Sequence, residues 1–185
     1  MRLPSSLLPA LLPLCLPLGA AARRWRFDPA LSEEWWRAWS GSWVHADWRH
    51  AALNCAGLLL LAGIGGAGQA RMLCWLALLL PWPIAWAQLL LPGAGPFLGA
   101  SGVLYGWWAA LAWQGRAVWT GRLLAALLLL RLAWQWTWPQ PGAGGLPILW
   151  SAHACGALAG PLLAECLKRA GCAAPVPPPR TSAHS

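Results

Sequence analysis

The chain is short of acid. Its 185 residues include only five Asp and Glu (Asp28, Glu33, Glu34, Asp47 and Glu165), against 58% hydrophobic and 10% charged residues overall. So few carboxylates cannot solvate a globular surface of this size, and none lies deep inside an apolar run. A soluble domain is therefore excluded, and lipid must do the solvating. Metal-site spacing is lacking too. The six cysteines (Cys15, Cys55, Cys74, Cys155, Cys166 and Cys172) stand singly, with no CxxC, so neither a disulfide framework nor structural zinc is expected, and they read as small buried hydrophobes. No internal repeat is visible, which argues against a channel or transporter built on inverted repeats. There is no basic block either: the net charge of +8 comes from twelve arginines and Lys168 at segment ends or in the first loop. That distribution reads as topology signals and headgroup anchors, not as a nucleic-acid surface.

What is present is a series of apolar runs, many edged by the seventeen tryptophans that suit a membrane interface. Six can be drawn near the roughly 20 residues a spanning helix needs, at about 3–22, 50–67, 72–91, 101–113, 118–136 and 150–167. The first is broken by Pro4, Pro9, Pro13 and Pro17 and closed by Arg23-Arg24. It has features of a secretory signal peptide, and we read it as a retained helix. Trp25 to Trp48 forms a long Trp- and Arg-rich loop expected to lie in the interface plane. The second and third runs are expected to join through a tight turn around Gly68, Gln69 and Arg71, and Trp138 to Leu149 reads as a Pro/Gly cap. The expected architecture is an all-α, six-transmembrane-helix bundle over 1–169 with an interfacial first loop, followed by a disordered tail, 170–185. An inside amino terminus places Arg2, Arg71, Arg116, Arg122, Lys168, Arg169 and Arg180 on the cytoplasmic side, against Arg23, Arg24, Arg26, Arg37 and Arg49 beyond.

Polar groups inside such runs are costly and are functional candidates. Gly99-Ala100-Ser101-Gly102-Val103-Leu104-Tyr105-Gly106 sets a hydroxyl among glycines at the mouth of the fourth run. Ser101 is either a helix cap between packing glycines or a nucleophile beside amides that can face an oxyanion. His50 and Asn54, four apart, share one helix face and read as interhelical glue or as oxyanion donors. His153 stands near Gly156 and Gly160, while Gly102 and Gly106 give the fourth helix the same GxxxG spacing. Two such faces invite backbone-to-backbone packing, which would bring His153 against Ser101. No acid is at hand to orient that base; Tyr105, one turn from Ser101, could hold the imidazole by stacking.

These residues resemble the rhomboid intramembrane serine proteases. The matching pieces run in family order: Trp36-Arg37, the spacing HxxxxHxxxN over His45, His50 and Asn54, Gly99-Ala100-Ser101-Gly102 with Tyr105, and Ala152-His153-Ala154-Cys155-Gly156 with Gly160. The resemblance implies Ser101 as nucleophile, His153 as general base, and His50 with Asn54 in the oxyanion hole. Tyr105, Gly99, Gly102, His45 and Gly156 would support them, and no metal or cofactor is called for. It also implies a six-helix bundle around a short fourth helix, with a cavity open to the non-cytoplasmic side. Gly41-Ser42-Trp43-Val44-His45 and the compact length look most like the bacterial rhombosortase subgroup. That likeness implies an inner-membrane enzyme whose partners are the bilayer and membrane proteins with a carboxy-terminal transmembrane sorting tail, cut near glycines, with no nucleic acid involved. Some rhomboids carry a histidine where this chain has Gly41, so that side chain's role is missing here. The alternative is a rhomboid-like pseudoenzyme that binds membrane helices without cutting them; such proteins usually lack the serine or the histidine, and both are kept here.

Overall fold

The computed structural model describes residues 7–91, 95–138, 141–142 and 148–172. The beginning of the first run, parts of the two Pro/Gly links and nearly all of the tail lie outside the described residues. Within them the fold is helical, with two isolated bridges and no strand.

The first run does not form one helix. Among the described residues, α1 covers Leu7–Cys15, and α2 is a single turn, Gly19–Ala22. Between them Pro17 pushes Leu16 away from helical geometry, and Gly19 takes a left-handed φ of 63°. The freed backbone pairs with the first loop, where Gly19 N–H donates to His45 O at 3.0 Å. Helix α3, Arg37–Ser40, then turns within that loop.

Asp47 caps α4, Trp48–Leu79, by accepting from His50 N–H at 2.8 Å. The cap satisfies one of the amides a helix start leaves unpaired. Helix α4 is interrupted at Gly66, whose φ of 59° and ψ of −167° only glycine takes readily. Beyond it, Leu73 comes within 3.3 Å of the Cβ position at Gly65, whereas eight residues of straight helix would separate the two by about 12 Å. The chain thus folds back at Gly65-Gly66. The expected turn at Gly68 to Arg71 is already returning helix, because the left-handed glycine and not the polar cluster makes the reversal. Helix α5, Pro81–Leu90, continues the returning run, and the stretch Trp48–Leu90 contains a window long and apolar enough to cross a membrane.

Helices α6 (Ser101–Gln114), α7 (Trp119–Thr137) and α8 (Trp150–Arg169) complete the bundle. The core is centred on α6, which is buried along most of its length and packs on α4, α7 and α8. Its Trp107 is fully buried, and Trp108 Nε1–H donates to Leu124 O of α7 at 2.8 Å. The outward faces instead expose large aliphatics such as Leu53, Leu60, Leu130, Leu158 and Leu162. An apolar exterior around a packed apolar core suits a helix bundle immersed in lipid.

Candidate active site

Two glycine rows set the distance between α6 and α8. A Cβ at Gly156 would collide with Gly102 O, and one at Gly160 with Gly106 O; on the facing helix, a Cβ at Gly106 would sit 3.0 Å from Gly156 O. Only bare backbone fits at this crossing. The close approach carries His153 onto the start of α6, where its Nε2 lies 2.7 Å from Ser101 Oγ. Ser101 does not cap its helix: the N-cap position belongs to Ala100 and no side chain caps there. The hydroxyl is directed across the helix interface instead.

The ring of His153 is held on two further sides. Tyr105 stacks on it with centroids 4.4 Å apart and planes 8° from parallel. Its Nδ1 lies 2.9 Å from Gln135 Oε1, which also accepts from Tyr105 OH at 3.2 Å. An amide oxygen has two lone pairs and can accept from both. The proton on Nδ1 then leaves Nε2 free to accept from Ser101. Gln135 is buried, and no motif or spacing in the sequence singles it out. A signal was there: a lone amide between tryptophans, near the end of an apolar run.

The serine's approach is shaped by the first loop through three separate rungs. Phe27 and Phe97 exchange backbone hydrogen bonds at 3.0 Å in both directions, Gly99 N–H donates to Gly41 O at 2.9 Å, and Ala100 N–H donates to His45 Nε2 at 3.2 Å. His45 also donates Nδ1–H to Trp43 O at 3.1 Å. A carbonyl can only accept and an amide N–H can only donate, so this ring is neutral and in one tautomer. Burial, reinforced by the neighbouring His50, lowers its pKa from 6.5 to about 3. Gly99 has a φ of 117°, and a Cβ there would strike the His50 ring, so glycine is required twice over. At Gly41 a side chain would run into Phe27, whose Cβ would be 2.8 Å away. The missing histidine leaves no gap. Arg37 knits the loop itself, pairing with Glu34 at 2.8 Å, lying over Trp36 at 4.6 Å, and donating to Arg24 O and Arg26 O.

His50 and Asn54 reach the same space as Ser101 and His153. All four line a cavity of about 320 Å³, together with Gly99, Gly102, Tyr105, Trp108, Arg131 and Gln135. Asn54 Nδ2 donates to His50 O at 3.1 Å within its own helix, and His50 Nδ1 is buried without a hydrogen-bond partner among the described residues. The pair is therefore not glue between helices here. Ser101 N–H, in the first turn of α6, is among the amides a helix leaves unpaired at its start. The arrangement thus holds a hydroxyl on an imidazole, a fixed imidazole tautomer, and several N–H donors around one cavity, which are the parts an acyl transfer uses.

Compared with known protein families, the chain matches the rhomboid domain over residues 32–170, a span that contains every residue of this cavity. The comparison with curated proteins finds no match.

Proposed function

This chain belongs to the rhomboid family of intramembrane serine proteases, and from that premise we propose that it is itself an endopeptidase working through Ser101 and His153. The observation that carries the reading is the 2.7 Å approach of His153 Nε2 to Ser101 Oγ inside a cavity shared with His50 and Asn54. His153 takes the hydroxyl proton as Ser101 Oγ bonds to the scissile carbonyl carbon. The oxygen of that carbonyl becomes an oxyanion facing the Ser101 amide and the side chains of His50 and Asn54. The same proton passes from Nε2 to the leaving amine as the C–N bond breaks, which leaves an acyl-enzyme. Water, deprotonated by His153, then adds to the acyl carbon and releases Ser101. Gln135 and Tyr105 do not touch the reacting atoms; they keep the ring in place and its Nδ1 protonated.

The reading extends to a six-span bundle with the first loop in the interface plane and the cavity opening to the non-cytoplasmic side. It also extends to a bacterial inner membrane and to substrates of the rhombosortase kind, proteins ending in a Gly-rich motif, a membrane helix and a basic cluster. The cavity beside Ser101, which Gly99 and Gly102 both line, supports it by offering space for a substrate segment.

The test is labelling of the purified chain by a serine-directed fluorophosphonate or isocoumarin, with cleavage of a membrane-anchored substrate measured in parallel. Wild type is expected to label and cut, and Ser101→Ala to do neither. Cleavage that survives in Ser101→Ala would falsify the assignment. For the substrate class, membrane proteomes with and without Ser101 are expected to differ by uncleaved carboxy-terminal tails; if no tail accumulates, the sorting role fails while the protease stands.

A further inference from the structure

Arg131 has no place in the chemistry above. It lies on α7 four residues before Gln135, on the same face as buried Leu128 and Gln135, and it lines the cavity with Ser101 and His153. A guanidinium within a spanning helix is costly and normally has a partner. Among the described residues none is found. Asp28 pairs with Arg26, Glu34 with Arg37, and Glu165 approaches Arg169, while Asp47 caps α4 and Glu33 is exposed on the first loop. No hydrogen bond or ion pair of Arg131 itself is found among the described residues.

That placement raises a problem of charge. When His153 takes the proton of Ser101, the cavity holds an imidazolium and a guanidinium together, and in a low-dielectric site two like charges repel strongly. An anion between or beside them removes the conflict. The oxyanion donors proposed above are on α4 and at the start of α6, whereas Arg131 belongs to α7, so a second negative group is called for. A guanidinium fork fits a carboxylate by two parallel N–H···O bonds.

We propose that Arg131 is a specificity-determining residue that binds an Asp or Glu side chain of the substrate, within a few residues of the bond being cut. The inference rests on the protease reading and narrows its substrate class: the preferred segment carries one acidic residue beside its small residues. The bound carboxylate neutralises Arg131 as His153 becomes charged, so the acidic residue aids turnover as well as binding.

The experiment uses the full chain in phosphatidylcholine vesicles, with membrane-anchored Gly-rich peptides that differ only by Asp or Asn at each of four positions on either side of the cleavage point. Wild type is expected to cut one Asp peptide at least tenfold faster, in kcat/KM, than its Asn twin. Arg131→Gln is expected to bring that Asp peptide down to the rate of its twin, and Arg131→Lys, a point charge without the fork, to keep part of the preference. Isocoumarin labelling of Ser101 shows whether each variant is folded. If Arg131→Gln fails to label, the comparison of wild type with Arg131→Lys decides. Equal cleavage of every Asp and Asn pair by wild type overturns the carboxylate site and leaves the protease reading intact. So does a preference that persists in Arg131→Gln, or an Arg131 effect that follows added phosphatidylglycerol and ignores substrate charge. Failure of wild type to cut any peptide, with no labelling of Ser101, overturns both.

Discussion

Replacing Gln135 with leucine removes one oxygen from the cavity and leaves two donors facing it. His153 Nδ1–H, at 2.9 Å, and Tyr105 OH, at 3.2 Å, both lose their acceptor in a place where the glutamine is only 5% exposed. A buried donor left unpaired costs about 1–3 kcal/mol, so with some return from the added apolar surface the fold should lose about 2–4 kcal/mol. The catalytic cost is separate. Once Nδ1 has nothing to donate to, the proton is free to reside on Nε2, the tautomer that cannot accept from Ser101, and the ring is held by the Tyr105 stack alone. A loss of about 1.4–2.8 kcal/mol in transition-state stabilisation corresponds to a 10- to 100-fold fall in kcat. The assay is steady-state cleavage of a membrane-anchored substrate in detergent, with thermal unfolding of the same samples. Gln135→Leu should lower kcat more than it changes KM, because the amide oxygen is engaged by His153 and Tyr105, and Gln135→Glu, which still accepts from both donors, should recover most of the loss. A folded Gln135→Leu protein with kcat within threefold of wild type would refute the positioning role, as would a Glu variant no better than Leu.

Three further outcomes follow from other parts of the structure. Gly156→Ala drives a methyl into Gly102 O; overpacking of this kind costs about 1–3 kcal/mol, so the thermal midpoint should drop and cleavage fall with it. Gly63→Ala meets nothing within 4 Å and should be neutral or slightly stabilising. His45 has a folded pKa of about 3, below its ordinary 6.5. Its contribution is therefore complete above pH 6.5 and drains away as the pH falls toward 3, with a slope approaching ~1.4 kcal/mol per pH unit. Unfolding midpoints measured from pH 8 to 4 should show that acid-side decline, and His45→Gln, which can still accept from Ala100 N–H, should flatten it.

Much of the cavity was legible in the sequence because a membrane chain makes its polar residues conspicuous. Ser101, His153, His50 and Asn54 stand out from apolar runs, and the glycine rows beside two of them announce which helices approach closely. Gln135 also stood in such a run, but its meaning depends on a histidine 18 residues away on another helix, and no local spacing points there. The same holds for the rungs from Phe27, Gly41 and His45 to the segment before α6. They join parts of the chain far apart, and two of the three do so through backbone groups every residue carries. The first run misled for a different reason. Composition made it one span, but Pro17 and Gly19 act on backbone geometry, which hydropathy does not register. The reversal at Gly66 shows the same limit, since the polar cluster a few residues on was the more visible feature and the left-handed glycine made the turn.

The glycine crossing of α6 and α8 also has a bearing on biogenesis. Ser101 and His153 are 52 residues apart, and the hydroxyl meets the imidazole only where the last helix of the described chain seats against bare backbone. During synthesis the serine emerges into the bilayer well before its base does. Until α8 docks, the half-built bundle carries an ordinary alcohol among the nascent helices of its neighbours. On the protease reading, completion of folding is then also the moment of activation.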